Sequence, residues 1–303
     1  MPLSYLGLFK SGELGKRAEK IRQRASPCVL CPFSCKASRE KGVLGRCNVG
    51  MRPKVASWGP HFGEEAPLVG TRGSGTIFFS HCNLRCVYCQ NCDISQSGNG
   101  KELSPRGLAE VMLELQERGC HNINLVSPTH FSHAVILALT HAIPMGLQVP
   151  IVYNSGGYDD ADTLKLFDGI IDIYMPDFKF SDDEIAAKLT GAAGYPHIAS
   201  VAVKEMYRQV GDLISDNRGV AVRGLLVRHL VLPEDLGGSK AVIDFIRRIS
   251  SDTYINIMDQ YHPAYRARSY AELGRRALIT EYDEVVSYAA RAGLKRIHGV
   301  TVR

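Results

Sequence analysis

From about residue 71 onward, apolar and polar positions follow two alternating rhythms: short apolar runs, and longer segments with apolar residues three or four apart. The first reads as buried strand and the second as amphipathic helix. Strands are predicted at 75–80, 122–126, 149–153, 170–175, 222–231 and 254–258. Between them, Leu108, Val111, Met112 and Leu115 mark one face of a helix that opens at Ser104-Pro105 and stops at Gly119. A second helix is expected over 134–142. A short third starts in the acidic run Asp159-Asp160-Ala161-Asp162 and carries Leu164 and Phe167. Further helices are expected over 182–189, 198–214 and 239–249. Thr280-Glu281-Tyr282-Asp283 reads as a capping box opening a last helix that Gly293 ends, and 297–302 as a closing strand. Strands separated by helices imply parallel βαβ units with right-handed crossovers. Periodicity alone does not distinguish an open sheet from a barrel.

Before residue 71 the pattern changes. A polar, basic helix is expected over 13–24, ending at Ala25-Ser26-Pro27. Cys28, Cys31, Cys35 and Cys47 follow with spacing C-x2-C-x3-C-x11-C, interrupted by Gly42, Gly45 and Gly50. Glycines are expected where backbone bends tightly around a small ion or cluster. Four thiolates so close in sequence can close a tetrahedral zinc site or an iron–sulfur cubane. Zinc is the first choice, because no ferredoxin-like duplication flanks them. Either would staple a segment too small for a core of its own.

Composition adds bounds. The chain has 303 residues, 45% hydrophobic and 22% charged, as an ordinary globular protein does. Two units are expected: a Cys-rich metal-binding segment over 1–70 and a barrel-sized domain over 71–303. The formal charge of +5 is spread along the chain and argues for neither nucleic acid nor an anionic membrane. Residues 1–7 are apolar but too short for a signal peptide, and no run approaches a membrane span. A cytoplasmic protein is expected. Seven of the nine cysteines fall in two tight groups, which favours metal over disulfides.

The second group is Cys82-Asn83-Leu84-Arg85-Cys86-Val87-Tyr88-Cys89, spaced C-x3-C-x2-C just after the predicted strand 75–80. Three thiolates on one loop can hold three irons of a four-iron cubane and leave the fourth open, since complete clusters take four cysteines. Taken alone, the residues also allow buried free thiols or part of a zinc knuckle. The strand's end, the spacing and Tyr88 before the last cysteine resemble the radical S-adenosylmethionine (radical SAM) superfamily, over about residues 71–265. The nearest resemblance is to the group of pyruvate formate-lyase activating enzyme, some relatives of which carry a cysteine-rich leader.

The resemblance implies an α/β fold built as a partial (β/α)6 TIM-like barrel, open on one side, with ligands at the C-terminal strand ends. It also implies a [4Fe-4S] cluster on Cys82, Cys86 and Cys89, whose open iron is chelated by SAM. Reductive cleavage of SAM then gives a 5′-deoxyadenosyl radical that abstracts hydrogen. Implied partners are an electron donor such as flavodoxin or ferredoxin, and a glycyl radical enzyme or another protein or peptide substrate. Direct modification of a small molecule or peptide is the alternative. A reading of another class is a non-catalytic iron–sulfur or zinc protein.

The family pattern then nominates strand-end residues for SAM. Tyr88 lies within the cysteine loop. Ser127 and Thr129 stand where relatives carry a Gly-Gly-Glu-type motif that this chain lacks. His130 beside them reads as a substrate contact or a cap of the next helix. Asn154 and Ser155 open a turn with Gly156-Gly157 that resembles the one reaching the SAM amino acid moiety; a hairpin-like turn is the plain alternative. Asp177 and Lys179 resemble the Asp-x-Lys segment of the activases. Arg228, in Arg228-His229 before Pro233, is suited to the SAM carboxylate. His262, after the sixth strand, is expected to hold adenine, ribose or substrate. A fourth thiolate would block the open iron, so Cys92 reads as a nearby buried thiol, and Cys120 as core.

Overall fold

The structure is a computed structural model that describes residues 3–298. Two helices, α1 (Ser4–Lys10) and α2 (Glu13–Ala25), lead into the cysteine-bearing loop, which ends at strand β1 (Lys54–His61). A single turn, α3 (Ala66–Val69), precedes β2 (Ser74–Phe79). After the second cysteine loop come α4 (Cys92–Ser95), β3 (Lys101–Glu102), α5 (Pro105–Glu117), β4 (Ile123–Val126), α6 (Ser132–Ala142), β5 (Ile151–Ser155), α7 (Ala161–Lys165) and β6 (Ile173–Pro176). The chain continues through α8 (Asp183–Thr190), α9 (Tyr195–Val210), β7 (Ile214–Ser215), β8 (Ala221–Leu230), α10 (Ser239–Ile249), β9 (Tyr254–Met258) and α11 (Ile279–Arg291). No helix among the described residues is long and apolar enough to cross a membrane.

The six strands expected from periodicity all form and pair in parallel, in the order β2-β4-β5-β6-β8-β9. Covered by helices outside and filled inside, they read as near-continuous apolar runs because little of either face meets water. The connecting helices begin where capping chemistry allows. Ser104 Oγ accepts the Gly107 N–H at 3.0 Å before Pro105, and Asp160 and Asp182 do the same for α7 and α8. The last helix departs from expectation. It opens at Ile279, and the Glu281 carboxylate closes its first turn by accepting the Leu278 N–H at 2.6 Å. Thr280 already lies inside the helix.

Three features escape the periodicity. Strand β1 pairs antiparallel with β2 as an added edge, and β3 pairs with β1. Its half-exposed residues and its Gly59-Pro60 hide it, yet an edge strand tolerates proline. The N-terminal helices do not form a separate unit divided near residue 70. Tyr5 donates to the Val149 carbonyl at 2.9 Å, Arg24 pairs with Asp160 at 2.6 Å, and one apolar core runs from Tyr5 to Ile297. The amphipathic stripe of α2 (Leu14, Ala18, Ile21) is the reason, since burying it on the barrel's outer layer is favourable. Of the expected closing strand, residues 299–302 lie outside the described residues, and Ile297 makes a lone parallel bridge to Ile255.

The sheet curls until its two ends approach. Glu65, from the segment after β1, accepts a hydrogen bond from Asn256 of β9 at 2.8 Å across the gap. α3 plugs the N-terminal end of the strands: the Asn122 amide donates to the Leu68 carbonyl at 2.9 Å, and Ser74 donates to Asn122 at 2.6 Å. The result is the α/β, mostly parallel sheet of a partial barrel.

Beneath β5, Asp172 accepts the Ile151 N–H at 2.9 Å, and burial pushes its carboxyl up to about 7. The fold then holds a proton that the unfolded chain has released, so stability falls as pH rises from about 4 to about 7. Asp172→Asn keeps an acceptor without the charge. Calorimetry should show its melting temperature raised by roughly 2–6 °C at pH 8 and little changed at pH 4. An equal shift at both pH values would refute the account.

Candidate active site

The parallel strands end at one face of the barrel, and the cysteine loop leaves β2 there. The loop is held by backbone. His81 turns at a φ of 65° and donates its N–H to the Ile94 carbonyl at 2.9 Å. Arg85 and Val87 donate to the carbonyls of Thr190 and Leu189 at 3.0 and 2.9 Å, which ties the loop to the end of α8. Gly156 lets the β5 turn approach, because a Cβ there would lie 2.6 Å from Leu84 Cδ1. At Gly157, with φ of 77°, a Cβ would lie 2.2 Å from the Asp177 carbonyl oxygen.

Cys82, Cys86 and Cys89 line one cavity of about 280 Å³. Tyr88, Ser127, Asn154, Ser155, Asp177, Lys179 and Arg228 line it with them, from the ends of β2, β4, β5, β6 and β8. Burial pushes the Cys82 thiol up to about 11 and the Cys86 thiol up to about 12, while Lys179 pulls both down. The site therefore resists bare thiolates and suits thiolates bound to a metal centre, whose positive charge offsets their desolvation. Cys89 is 3.0 Å from Ser95 Oγ. Cys92 is half-exposed at the start of α4 and outside the lining, so it is not the buried thiol expected; α4 turns it outward. Cys120 is buried core.

Around the cysteines the charges are paired. Asp177 accepts from Lys179 Nζ at 2.5 Å and from Arg228 Nε at 2.7 Å. A second Arg228 nitrogen donates to Asn154 Oδ1 at 2.8 Å, and a third faces Glu64 at 3.6 Å. The two cations hold the Asp177 carboxyl below the usual range despite its burial. Most of the Arg228 fork is thus already engaged, and a SAM carboxylate would have to share it.

Two expected SAM contacts lie elsewhere. Thr129 is buried and donates to Asp159 Oδ1 at 2.7 Å, away from the cavity. Asp159 also draws Tyr153 at 3.1 Å and Ser155 at 2.6 Å, since a buried carboxyl without a cation needs such donors. His262 is exposed and off the lining, because its neighbour Tyr261 turns inward to reach the Leu273 carbonyl at 2.8 Å. His130 neither caps a helix nor faces the cavity. It is buried with Nε2 3.0 Å from the Ser80 carbonyl, and burial lowers it to about 3. Sequence reasoning missed His81, Gln96 and Glu64. His81 adjoins the first cysteine, which is a usable signal, whereas Glu64 follows the unpredicted β1 and has none.

The leader cysteines share a different device. Burial acts to push the thiols of Cys28, Cys31, Cys35 and Cys47 up, and the backbone N–H groups two positions on, of Leu30, Phe33, Ala37 and Val49, act against it. Such N–H groups favour thiolates. The buried Arg39 adds a donor to Cys47 Sγ at 3.2 Å. This donor set fits a metal centre. Among the described residues no three His, Cys, Asp or Glu side chains converge on a single ion's position. A cubane takes one thiolate on each iron, so its ligands stand apart.

The two groups touch through their neighbours. Arg85 donates to the Arg46 carbonyl at 2.6 Å, and Asn83 to the Tyr158 carbonyl at 2.8 Å. Tyr158 packs on Phe33 with ring centroids 4.9 Å apart.

The chain is similar to known proteins in three respects. Residues 76–212 match the family model of the Radical SAM superfamily, a span that contains all three loop cysteines. An uncharacterized protein of Methanocaldococcus jannaschii (strain ATCC 43067) is 29% identical over 97% of this chain and 83% of its own length. A structure of TYW1 with a lysine-pyruvate adduct bound is similar at a TM-score of 0.46 and 10% identity, over 71% of this chain and 73% of that one. Residues 76–212 thus match a radical SAM domain, and that family implies a [4Fe-4S] cluster and SAM.

Removing Asp177 leaves Lys179 and Arg228 facing each other in a buried site. Asp177→Ala is expected to cost roughly 3–5 kcal/mol in urea unfolding. Adding Lys179→Met should recover part of that loss. Strictly additive effects in the cycle would show that the three side chains do not share charge.

Proposed function

We propose that the cysteine-lined cavity is the active site of a radical SAM enzyme that abstracts hydrogen from a bound substrate. One observation carries the reading: three loop thiols line a single cavity while the fourth nearby thiol, Cys92, stands off it. Three thiolates hold a cubane and leave one iron for another ligand. When bound, the cluster and SAM supply a reductively generated 5′-deoxyadenosyl radical. Cys82, Cys86 and Cys89 hold the cluster in this reading.

The remaining residues bind, orient and exclude water. Ser127, Asn154, Ser155 and Lys179 present polar atoms to SAM, and Asp177 fixes Lys179 and Arg228 in place. Tyr88 packs edge-on against Phe180 and Tyr261 at 6.2 and 6.1 Å and closes the cavity's apolar side. Because the cofactors supply the difficult chemistry, no acid–base pair is assigned.

The hydrogen donor in this proposal is a glycine backbone of a partner enzyme, on the strength of the activase-like Asp177-Phe178-Lys179 and Arg228-His229 segments. The absent Gly-Gly-Glu motif and the cysteine leader favour a second reading, direct modification of a small molecule or peptide. Freeze-quenched electron paramagnetic resonance with a candidate partner separates the two by a persistent glycyl signal. An electron donor of the flavodoxin or ferredoxin class completes either. The leader cysteines hold a second centre, zinc or a further iron–sulfur cluster.

After anaerobic reconstitution with reductant and SAM, the protein should release 5′-deoxyadenosine. Cys86→Ala should abolish that release and Cys92→Ala should leave it intact. Undiminished cleavage in Cys86→Ala would sink the assignment and leave a non-catalytic metal protein. Metal analysis of Cys28→Ser/Cys31→Ser should show one centre lost and the loop cluster's absorbance retained; an unchanged metal content would dismiss the leader site.

A further inference from the structure

The gap between the two ends of the curled sheet holds a second cavity of about 330 Å³. It shares Arg228, Met258 and Gln260 with the cysteine cavity, so a molecule seated in it reaches the same centre from the side. Its own chemistry is acidic. Glu64 and Glu65 enter it from the segment after β1, and Asp259 enters from the end of β9.

The charges at this junction do not balance. Asp177, Glu64 and Glu65 present three carboxyl groups to two cations, Lys179 and Arg228, and Asp177 binds both cations closely. Glu64 meets Arg228 only at 3.6 Å. Glu65 is 4% exposed; its Oε1 accepts from Asn256, and its Oε2 is buried with no hydrogen-bond partner among the described residues. Asn124 gives a second, independent sign. It is fully buried beside Glu64, and neither atom of its amide makes a well-formed hydrogen bond. Native interiors seldom leave such groups unpaired, and an unsatisfied carboxylate oxygen is among the more costly.

The missing partner must donate hydrogen bonds and carry positive charge. A metal ion suits this place poorly, because the Arg228 guanidinium faces Glu64 and would repel a dication. An organic cation with several N–H donors suits it better, and the size of the cavity admits a short alkyl chain. We propose that Glu64 and Glu65 form the recognition site for an alkylammonium group on the substrate. The site holds that group in the barrel's lateral gap with its chain directed past Met258 and Gln260 toward the cysteines. The last clause rests on the radical SAM reading; the ammonium site itself does not.

The test is calorimetric titration of the SAM-loaded holoprotein with n-pentylamine, with 1-pentanol as the neutral match. Pentylamine should bind and pentanol should not. Glu65→Gln should weaken pentylamine roughly tenfold or more. If that variant does not fold, Glu64→Gln provides the same comparison. A capped lysine peptide run in parallel identifies the source: tighter binding than pentylamine assigns the ammonium to a protein side chain, and weaker binding to a free amine. Equal binding of pentanol, undiminished binding by both variants, or exclusion of pentylamine by SAM would overturn the proposal. Pentylamine binding without 5′-deoxyadenosine release would uphold the site and refute the radical reading; the converse result would do the reverse.

Discussion

Asp177 joins the strand ends that form the site. It stands at the end of β6 and forms an isolated parallel bridge with Arg228 of β8. Its carboxylate holds Arg228 and Lys179, while Arg228 reaches back to Asn154 on β5. Three neighbouring strands thus meet in one charge-assisted network, with little water to screen it. The network also sets the field at the cysteines, since Lys179 is the cation that lowers both Cys82 and Cys86. A buried ion pair is weak evidence for stability but strong evidence for geometry, because breaking it strands a charge. The cavity's polar wall therefore has a defined shape before any ligand enters it.

Much of the scaffold was legible because parallel strands covered on both faces leave apolar runs that sequence displays directly. The strands at 75–80, 122–126 and 254–258 fall within a residue of their expected bounds for that reason. What sequence could not show is where a side chain points once tertiary contacts compete for it. Thr129 sits next to the cavity-lining Ser127 in the motif, yet the buried Asp159 claims its hydroxyl. His262 sits next to an inward tyrosine and so turns outward. β1 was invisible because an edge strand with one wet face and a proline carries no strong period. With β1 unseen, nothing in the sequence marked Glu64 and Glu65 as interior residues.

The leader is bound into this arrangement rather than appended to it. Its helices bury an apolar stripe on the barrel, and its cysteine loop is tied to the second cysteine loop through Arg85, which donates to the Arg46 carbonyl. Aromatic rings continue the contact from one group to the other. Phe33, between Cys31 and Cys35, packs on Tyr158, which stacks on Tyr195 at 6.1 Å; Phe180 then connects Tyr195 to Tyr88 at 6.1 and 6.2 Å. Such a run couples the two loops mechanically, because close-packed rings transmit displacement. A metal that orders the leader would for that reason also steady the loop that carries Cys82, Cys86 and Cys89.

The open side of the barrel then has a physical rationale. A fully closed barrel of parallel strands fills its interior with side chains and leaves little room for a ligand. Here the gap lies between β9 and β1, and Asn256 donates to Glu65 across it. The residues in that gap are polar and acidic, whereas Val152, Ile173, Met175 and Leu226 form an apolar cluster in the barrel's core. A polar gap of this kind holds the charged end of an entering molecule at the rim. Hydrogen abstraction by a carbon radical needs that kind of control, because the radical itself discriminates little between C–H bonds and selectivity must come from position.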